Sequence, residues 1–321
     1  MKVVATVWFW AVFLLTAPVC TAVGATLWLV TWPFDRNRAV LHAFVNRWCH
    51  VLYLSWPGWR VRIEGREHLP RGPAVIVVNH RSASDILVAM GLHHPYKFVA
   101  KASLFRTPMV GWLMSLMEYV PVRRGTAQAM DRMLGDCAGW LRRGVSVLIY
   151  PEGTYSPTHE PLPFKRGAFQ LAQAEKVPVV PVVLEGTRGI QGEHGAWMGP
   201  SARVRLRVLP PVPVEALGED PVELAARVRG LYLEALGVAP AAAAARAARW
   251  TATRAGLRHR PRAARDACAR RARSSCPTCP TWAPRTSAAG ACPMAWSCSC
   301  AGRWAATGLA GCPTRCSAAP A

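Results

Sequence analysis

The stretch VNHRSASDIL, residues 78 to 87, sets a histidine and an aspartate five positions apart directly after the strand-like run AVIVV. Five helical steps turn a chain through about 500°, so on one regular helix His80 and Asp85 would point away from each other. They can meet if His80 stays in a turn and Asp85 opens the next helix, with Ser82 or Ser84 as its cap. A carboxylate that holds one imidazole nitrogen leaves the other to take a proton from a hydroxyl group. Fastening the turn to the helix is the plainer use of the same pair.

A second polar cluster, VSVLIYPEGTYSP at 145 to 157, comes after another apolar run. Pro151 ends the strand and Gly153 permits close backbone approach; Glu152 and Thr154 would share a sheet edge with His80 if the two strands run parallel. Arg123 and Arg124 end a third run, and Lys165, Arg166 and Gly167 open a helix. Several cations and a helix N-terminus near one edge suit a phosphate.

Strand-sized apolar runs recur at 74–78, 97–100, 119–122, 145–150, 177–184 and 204–209. Helical patterns separate them. In TAQAMDRMLGDCAGWLRRG, Ala127, Met130, Met133, Leu134, Cys137, Trp140 and Leu141 share a face and Gly144 is the stop. Asp220, Pro221 and Glu223 read as the cap and first turn of a last helix running toward Gly237. This alternation predicts an α/β domain over 60–240, a central and mostly parallel sheet flanked by helices. Such sheets bind ligands at the C-terminal ends of their strands.

Ahead of that domain, residues 3 to 34 contain no Asp, Glu, Lys or Arg. The run exceeds the ~20 residues that span a bilayer and the ~7–15 of a signal-peptide centre, so a retained anchor is expected. Pro18 and Gly24 lie inside it, allowing a kinked span or two short helices in one leaflet. Residues 39 to 59 are apolar but for His42, Asn46, Arg47 and His50 among others, and seven of the fourteen tryptophans precede residue 60. A helix in the headgroup region is expected there, with a buried core helix as the alternative. Residues 1–59 are therefore read as an N-terminal helical membrane anchor. Arg36, Arg38 and Arg47 behind the apolar run, against Lys2 before it, put the main domain in the cytoplasm.

The formal charge of +21 divides into +9 for residues 1–240 and +12 for 241–321, where 13 arginines face only Asp266. No helix-turn-helix, zinc-finger or aromatic RNA-binding pattern accompanies it, so no nucleic-acid partner is expected and the milder +9 suits anionic lipid. The segment 241–321 also holds eight of the eleven cysteines, and its Cys276–Cys279 pair lacks a second pair at zinc-ribbon spacing. Rich in Ala, Arg, Pro, Ser and Cys without apolar periodicity, it is expected to be a disordered, dispensable tail. His93-His94 has no patterned carboxylate nearby, so no metal is expected, and no G-x-S-x-G elbow supports a serine hydrolase.

Five stretches carry a resemblance. Asn79, His80 and Asp85 match NHxxxxD; Tyr150 to Thr154 match (F/Y)PEGT; Val177 to Val182 resemble a VPxxPV strand. KFVAKASLFRTPMVGWLM at 97–114 and YVPVRR at 119–124 complete the set. Over about residues 60 to 190 the chain resembles the glycerophospholipid acyltransferases, in particular the bacterial 1-acyl-sn-glycerol-3-phosphate acyltransferases.

The resemblance implies His80 as general base, Asp85 as its orienting partner and Arg123 as a ligand of the acceptor phosphate. It places Glu152, Gly153 and Thr154 in the acceptor site and makes Lys101, Lys165 and Arg166 second-rank phosphate contacts. Pro178 and Pro181 would shape the site. The implied reaction moves an acyl group from a thioester of coenzyme A or acyl carrier protein to the free hydroxyl of a lysophospholipid, most closely 1-acyl-sn-glycerol-3-phosphate, giving phosphatidic acid. Backbone N–H groups near the turn would hold the oxyanion, with no bound cofactor. The setting would be the bilayer, as at a bacterial inner membrane. One departure stands out: the family usually carries Arg or Lys where Tyr155 stands, one cation fewer for an anionic acceptor. A non-catalytic, basic, membrane-anchored lipid-binding protein is the rival reading; it explains anchor and charge but not the ordered motifs.

Overall fold

The structure, a computed structural model, describes residues 1–123, 125–191 and 196–238. Arg124 and the segment 241–321, with its expected disorder and cysteine pairs, lie outside the described residues.

Seven strands form one sheet: β1 (Trp59–Glu64), β2 (Val75–Val78), β3 (Tyr96–Lys101), β4 (Val120–Val122), β5 (Ser146–Ile149), β6 (Val179–Glu185) and β7 (Ala202–Val208). Their order is β1-β7-β6-β2-β5-β3-β4. β6, β2, β5, β3 and β4 run parallel, and β7 turns against β6 and carries β1 alongside it. The mostly parallel α/β sheet is as the sequence indicated. β1 went unread because its WRVRIE alternates charge with apolar residues at an edge, where one side faces water.

Strand period decides the two layers. Ile76 and Val78 of β2 join a core with α2 (Ala39–Leu54), α3 (Asp85–Ala89) and α4 (Val110–Leu116). Val75 and Val77 point the other way, into a core with α5 (Ala127–Arg142), α6 (Gly167–Glu175) and α7 (Pro221–Ala235). All four β2 residues are buried, each worth about 1.5–3 kcal/mol relative to exposure. Thr126 caps α5, its hydroxyl accepting from Ala129 N–H at 3.2 Å, and Asp220 caps α7 through Val222 N–H at 2.8 Å.

The apolar N-terminal run is one uninterrupted helix, α1 (Lys2–Thr31), which continues through Pro18; the alternative of two short helices is not formed. It is long and apolar enough to cross a bilayer, and 22% of its most apolar window is buried. Its inner side packs on α2, with Trp48 Nε1 donating to Thr16 Oγ1 at 2.9 Å. His42 and Asn46, read as facing headgroups, are buried, and His42 bonds Tyr119 Oη at 2.8 Å and the His94 carbonyl at 3.1 Å. Two ring nitrogens with buried partners keep an imidazole inside. Arg47 and His50 stay at the surface.

Candidate active site

β2 ends at Val78, and Asn79 fixes the path of the turn beyond it. Its side-chain amide donates to the Leu184 carbonyl at 2.8 Å and accepts from Leu184 N–H at 2.7 Å, tying the end of β2 to β6. His80 therefore leaves the sheet in a set direction. Its Nδ1 lies 2.9 Å from Asp85 Oδ2. The same oxygen accepts from Arg81 N–H at 2.6 Å and Ser82 N–H at 2.9 Å, so the turn curls around the carboxylate. Neither serine caps α3 through its side chain, contrary to expectation; Ser82 Oγ accepts from Ser84 N–H at 3.2 Å and donates to the Gln191 carbonyl at 2.7 Å. Asp85 instead gathers two amides of the turn ahead of the helix. Its side chain is fully buried, while that of His80 keeps 12% exposure, so the ring reaches solvent and its acid does not.

The turn after β5 holds His80 from behind. Glu152, buried at 3% exposure, accepts from His80 N–H at 2.8 Å through Oε1 and from Leu162 N–H at 2.7 Å through Oε2. Ser156 N–H donates to the His80 carbonyl at 2.8 Å. Both backbone groups of His80 are thus fixed by one turn. Burial pushes the Glu152 carboxyl up to about 8, against the pull of the two amides; nearby Asp85 adds to the rise and Arg229 opposes it. Tyr150 stacks on the His80 ring at 4.0 Å and 17°, and Tyr155 lies against it at 4.2 Å and 46°. The side chain of Tyr155 thus flanks the imidazole.

The parallel strands bring the predicted residues to one edge unevenly. Lys101 closes β3 level with Val122 of β4, and Arg123 comes one residue later; both are exposed. The strand order puts β4 three places from β2, roughly 14 Å at ordinary strand spacing. Lys165 N–H donates to the Pro151 carbonyl at 2.9 Å, and the Lys165 side chain crosses Gly153. Gly153 has φ +68°, and a Cβ there would stand 2.5 Å from Lys165 Nζ, so glycine serves both the left-handed backbone and the close approach. Thr154 is half-buried beside it. Arg166 lines a groove of about 530 Å³ with Glu219 and Pro221, between α6 and the start of α7; this groove is not where His80 stands. Several amides of the two turns are engaged: those of His80, Arg81, Ser82 and Ser84 by side-chain oxygens, and Gly153 N–H by the Tyr150 carbonyl at 3.1 Å.

Sequence reasoning missed Arg188. Placed after β6 in what reads as an ordinary Gly-Thr-Arg-Gly turn, it donates to the carbonyls of Arg81, Ser156 and Pro157 and staples the two active-edge turns together. Only its position after a strand on the same edge could have marked it.

The acyltransferase family model matches residues 60–185, a stretch that contains His80, Asp85, Glu152 and both tyrosines that flank the imidazole. A 1-acyl-sn-glycerol-3-phosphate acyltransferase alpha of Ovis aries is 34% identical over 228 residues, covering 68% of this chain and 74% of that protein. The chain belongs to the acyltransferase family. Within that family, the chloroplastic 1-acyl-sn-glycerol-3-phosphate acyltransferase BAT2 of Brassica napus is 37% identical over 182 residues, 54% of this chain and 52% of that one. The chain spans about half the length of such plant relatives. Among solved structures, the 1-acyl-sn-glycerophosphate (LPA) acyltransferase PlsC of Thermotoga maritima superposes with a TM-score of 0.61 at 25% identity, covering 74% of this chain and 95% of that one. The shared fold is the α/β sheet with its helices.

Proposed function

We propose that this acyltransferase-family chain moves a fatty acyl group from a thioester of coenzyme A or acyl carrier protein to the free hydroxyl of a lysophospholipid. 1-Acyl-sn-glycerol-3-phosphate is the acceptor that the names of its relatives favour, and phosphatidic acid is then the product. The observation that carries the reading is the His80 Nδ1–Asp85 Oδ2 contact of 2.9 Å at the C-terminal edge of the sheet. With Asp85 accepting from Nδ1–H, the lone pair of Nε2 is left for the substrate hydroxyl. The hydroxyl proton passes to Nε2 as the oxygen bonds to the thioester carbonyl carbon. The C–S bond then breaks, and the thiolate leaves with the proton that the imidazole returns. Arg123, Lys101 and Lys165 are the cations proposed for the acceptor phosphate. The apolar α1 supports work at a membrane surface, where the acceptor resides.

Tyr155 favours a second reading of the acceptor. An aromatic ring at that position offers no charge to a phosphate monoester, which leaves room for a lysolipid with a less charged headgroup. Full-length protein in vesicles, supplied with labelled acyl thioester and a panel of lysolipids, separates the two. Transfer fastest to 1-acyl-sn-glycerol-3-phosphate supports the first; equal or faster transfer to lysophosphatidylcholine or a neutral monoacylglycerol overturns it. Lipid binding without turnover on any acceptor would sink both.

A further inference from the structure

A cleft of about 680 Å³ opens between α2 and the His93–Pro95 turn, at the end of the sheet where the parallel strands begin. His94, in that turn, bonds Ser146 Oγ at the start of β5 at 3.1 Å. Six residues of β3 separate this end from Lys101, about 20 Å at strand rise, so the cleft stands well away from His80. Its lining includes Asn46, Arg47, His50 and His93 and no carboxylate. The rings of His50 and His93 are 5.6 Å apart. Burial first, and the nearby Arg66 guanidinium next, hold both imidazoles below their usual range. Tyr53 Oη lies 2.7 Å from His50 Nδ1, and burial raises its phenol to about 12.

Asn46 is the second observation. It is 1% exposed and lines the cleft, yet its Oδ1 has no hydrogen-bond partner among the described residues. A buried amide oxygen without a donor is costly, and a ligand hydroxyl would supply one. Beside Arg47 on the exposed side of α2 stand Val40, Val51 and Leu54, each 43–57% exposed. Cation, acceptor and apolar stripe together match a lipid rather than a free ion.

We infer that this cleft binds the phosphoryl headgroup of an anionic phospholipid that also carries a free hydroxyl, as a second lipid site at the sheet edge opposite the catalytic pair. The phosphate lies against Arg47 and the two imidazoles, the hydroxyl donates to Asn46 Oδ1, and the chains lie along Val40, Val51 and Leu54. This site does not depend on the catalytic reading, since none of these residues belongs to the group around His80.

The test uses full-length protein with vesicles of phosphatidylcholine alone or mixed with phosphatidylglycerol, whose headgroup has both features. Wild type should bind the mixed vesicles more tightly, and Arg47→Ala should cut that preference about fivefold. Arg71→Ala, an exposed arginine elsewhere, should change it much less. In detergent, glycerol 3-phosphate should shift the imidazole NMR signals of His50 and His93 more than inorganic phosphate does, and not in Arg47→Ala. Equal losses for Arg47→Ala and Arg71→Ala would mean general surface charge and overturn the site. Imidazole shifts with no vesicle preference would mean a soluble phosphate ester and overturn the lipid. Inorganic phosphate matching glycerol 3-phosphate would remove the role given to Asn46.

Discussion

Asp85 Oδ2 serves His80 and two amides while Oδ1, buried, has no partner among the described residues, so the hydrogen bonds that position the acid come from its own turn. Tyr150 shows the same economy of contacts: its ring supports His80, but its buried hydroxyl is unpartnered there. Tyr150→Phe keeps the stack and removes that hydroxyl, so thermal unfolding should rise by the equivalent of about 1 kcal/mol with acyl transfer retained. Glu152 behaves differently. Its carboxyl rises from 4.5 to about 8 on folding, so the folded chain holds a proton that the unfolded chain releases, and stability drains as pH climbs through that window. Glu152→Gln cannot titrate. Its Tm relative to wild type should therefore be lowest near pH 4.5, where it lacks one acceptor, and should recover toward pH 8; a pH-independent gap would contradict the assignment. Of these residues, the sequence makes His80 and Asp85 legible because a turn of five residues confines them. It hides the work of Glu152, which grips the backbone of a residue 72 positions away and reads by type alone as a substrate contact.

At the scale of elements, β6 carries a proline inside the sheet. Pro181 pairs with Val77 in the middle of the sheet, where a proline ordinarily disrupts the ladder. The Pro181 carbonyl accepts from Leu209 N–H at 2.9 Å, so its missing N–H falls on the β7 side; on the β2 side Tyr232 from α7 bridges the strands, its hydroxyl accepting from Val182 N–H at 3.0 Å and donating to the Val77 carbonyl. Tyr232→Phe would leave both backbone groups buried and unpaired, and should cost about 2–3 kcal/mol in chemical denaturation; a cost below about 0.5 kcal/mol would mean the strands close up without the hydroxyl. Helix and strand periodicity exposed most elements, including α5 and its stop at Gly144, where φ is +79°. Contacts such as Tyr232 to Val77, 155 residues apart, lie beyond any pattern within a window. His42 of α2 misled for a related reason, since it looks like a headgroup contact until Tyr119 and His94 arrive from distant elements to enclose it.

For the whole molecule, the side of α1 turned from the sheet exposes Leu14, Leu15, Val19, Leu29 and Val30, each at least 58% accessible, an apolar surface that water does not favour. Leu15→Lys places a charge in its middle and should weaken retention by phospholipid vesicles by about 2.5–3.5 kcal/mol if that side lies in hydrocarbon; unchanged co-sedimentation would mean α1 rests elsewhere. Such an anchor would bring the catalytic edge to its lipid acceptor without a deep pocket of its own. At the centre of the proposed reaction stands His80, oriented by Asp85, as the base that would activate the acceptor hydroxyl. The most direct measurement is acyl transfer from labelled thioester to 1-acyl-sn-glycerol-3-phosphate by full-length His80→Ala, folded as judged by circular dichroism, beside wild type in the same vesicles. A fall in turnover of about 10²–10⁴ is the predicted result, and turnover equal to wild type would contradict it.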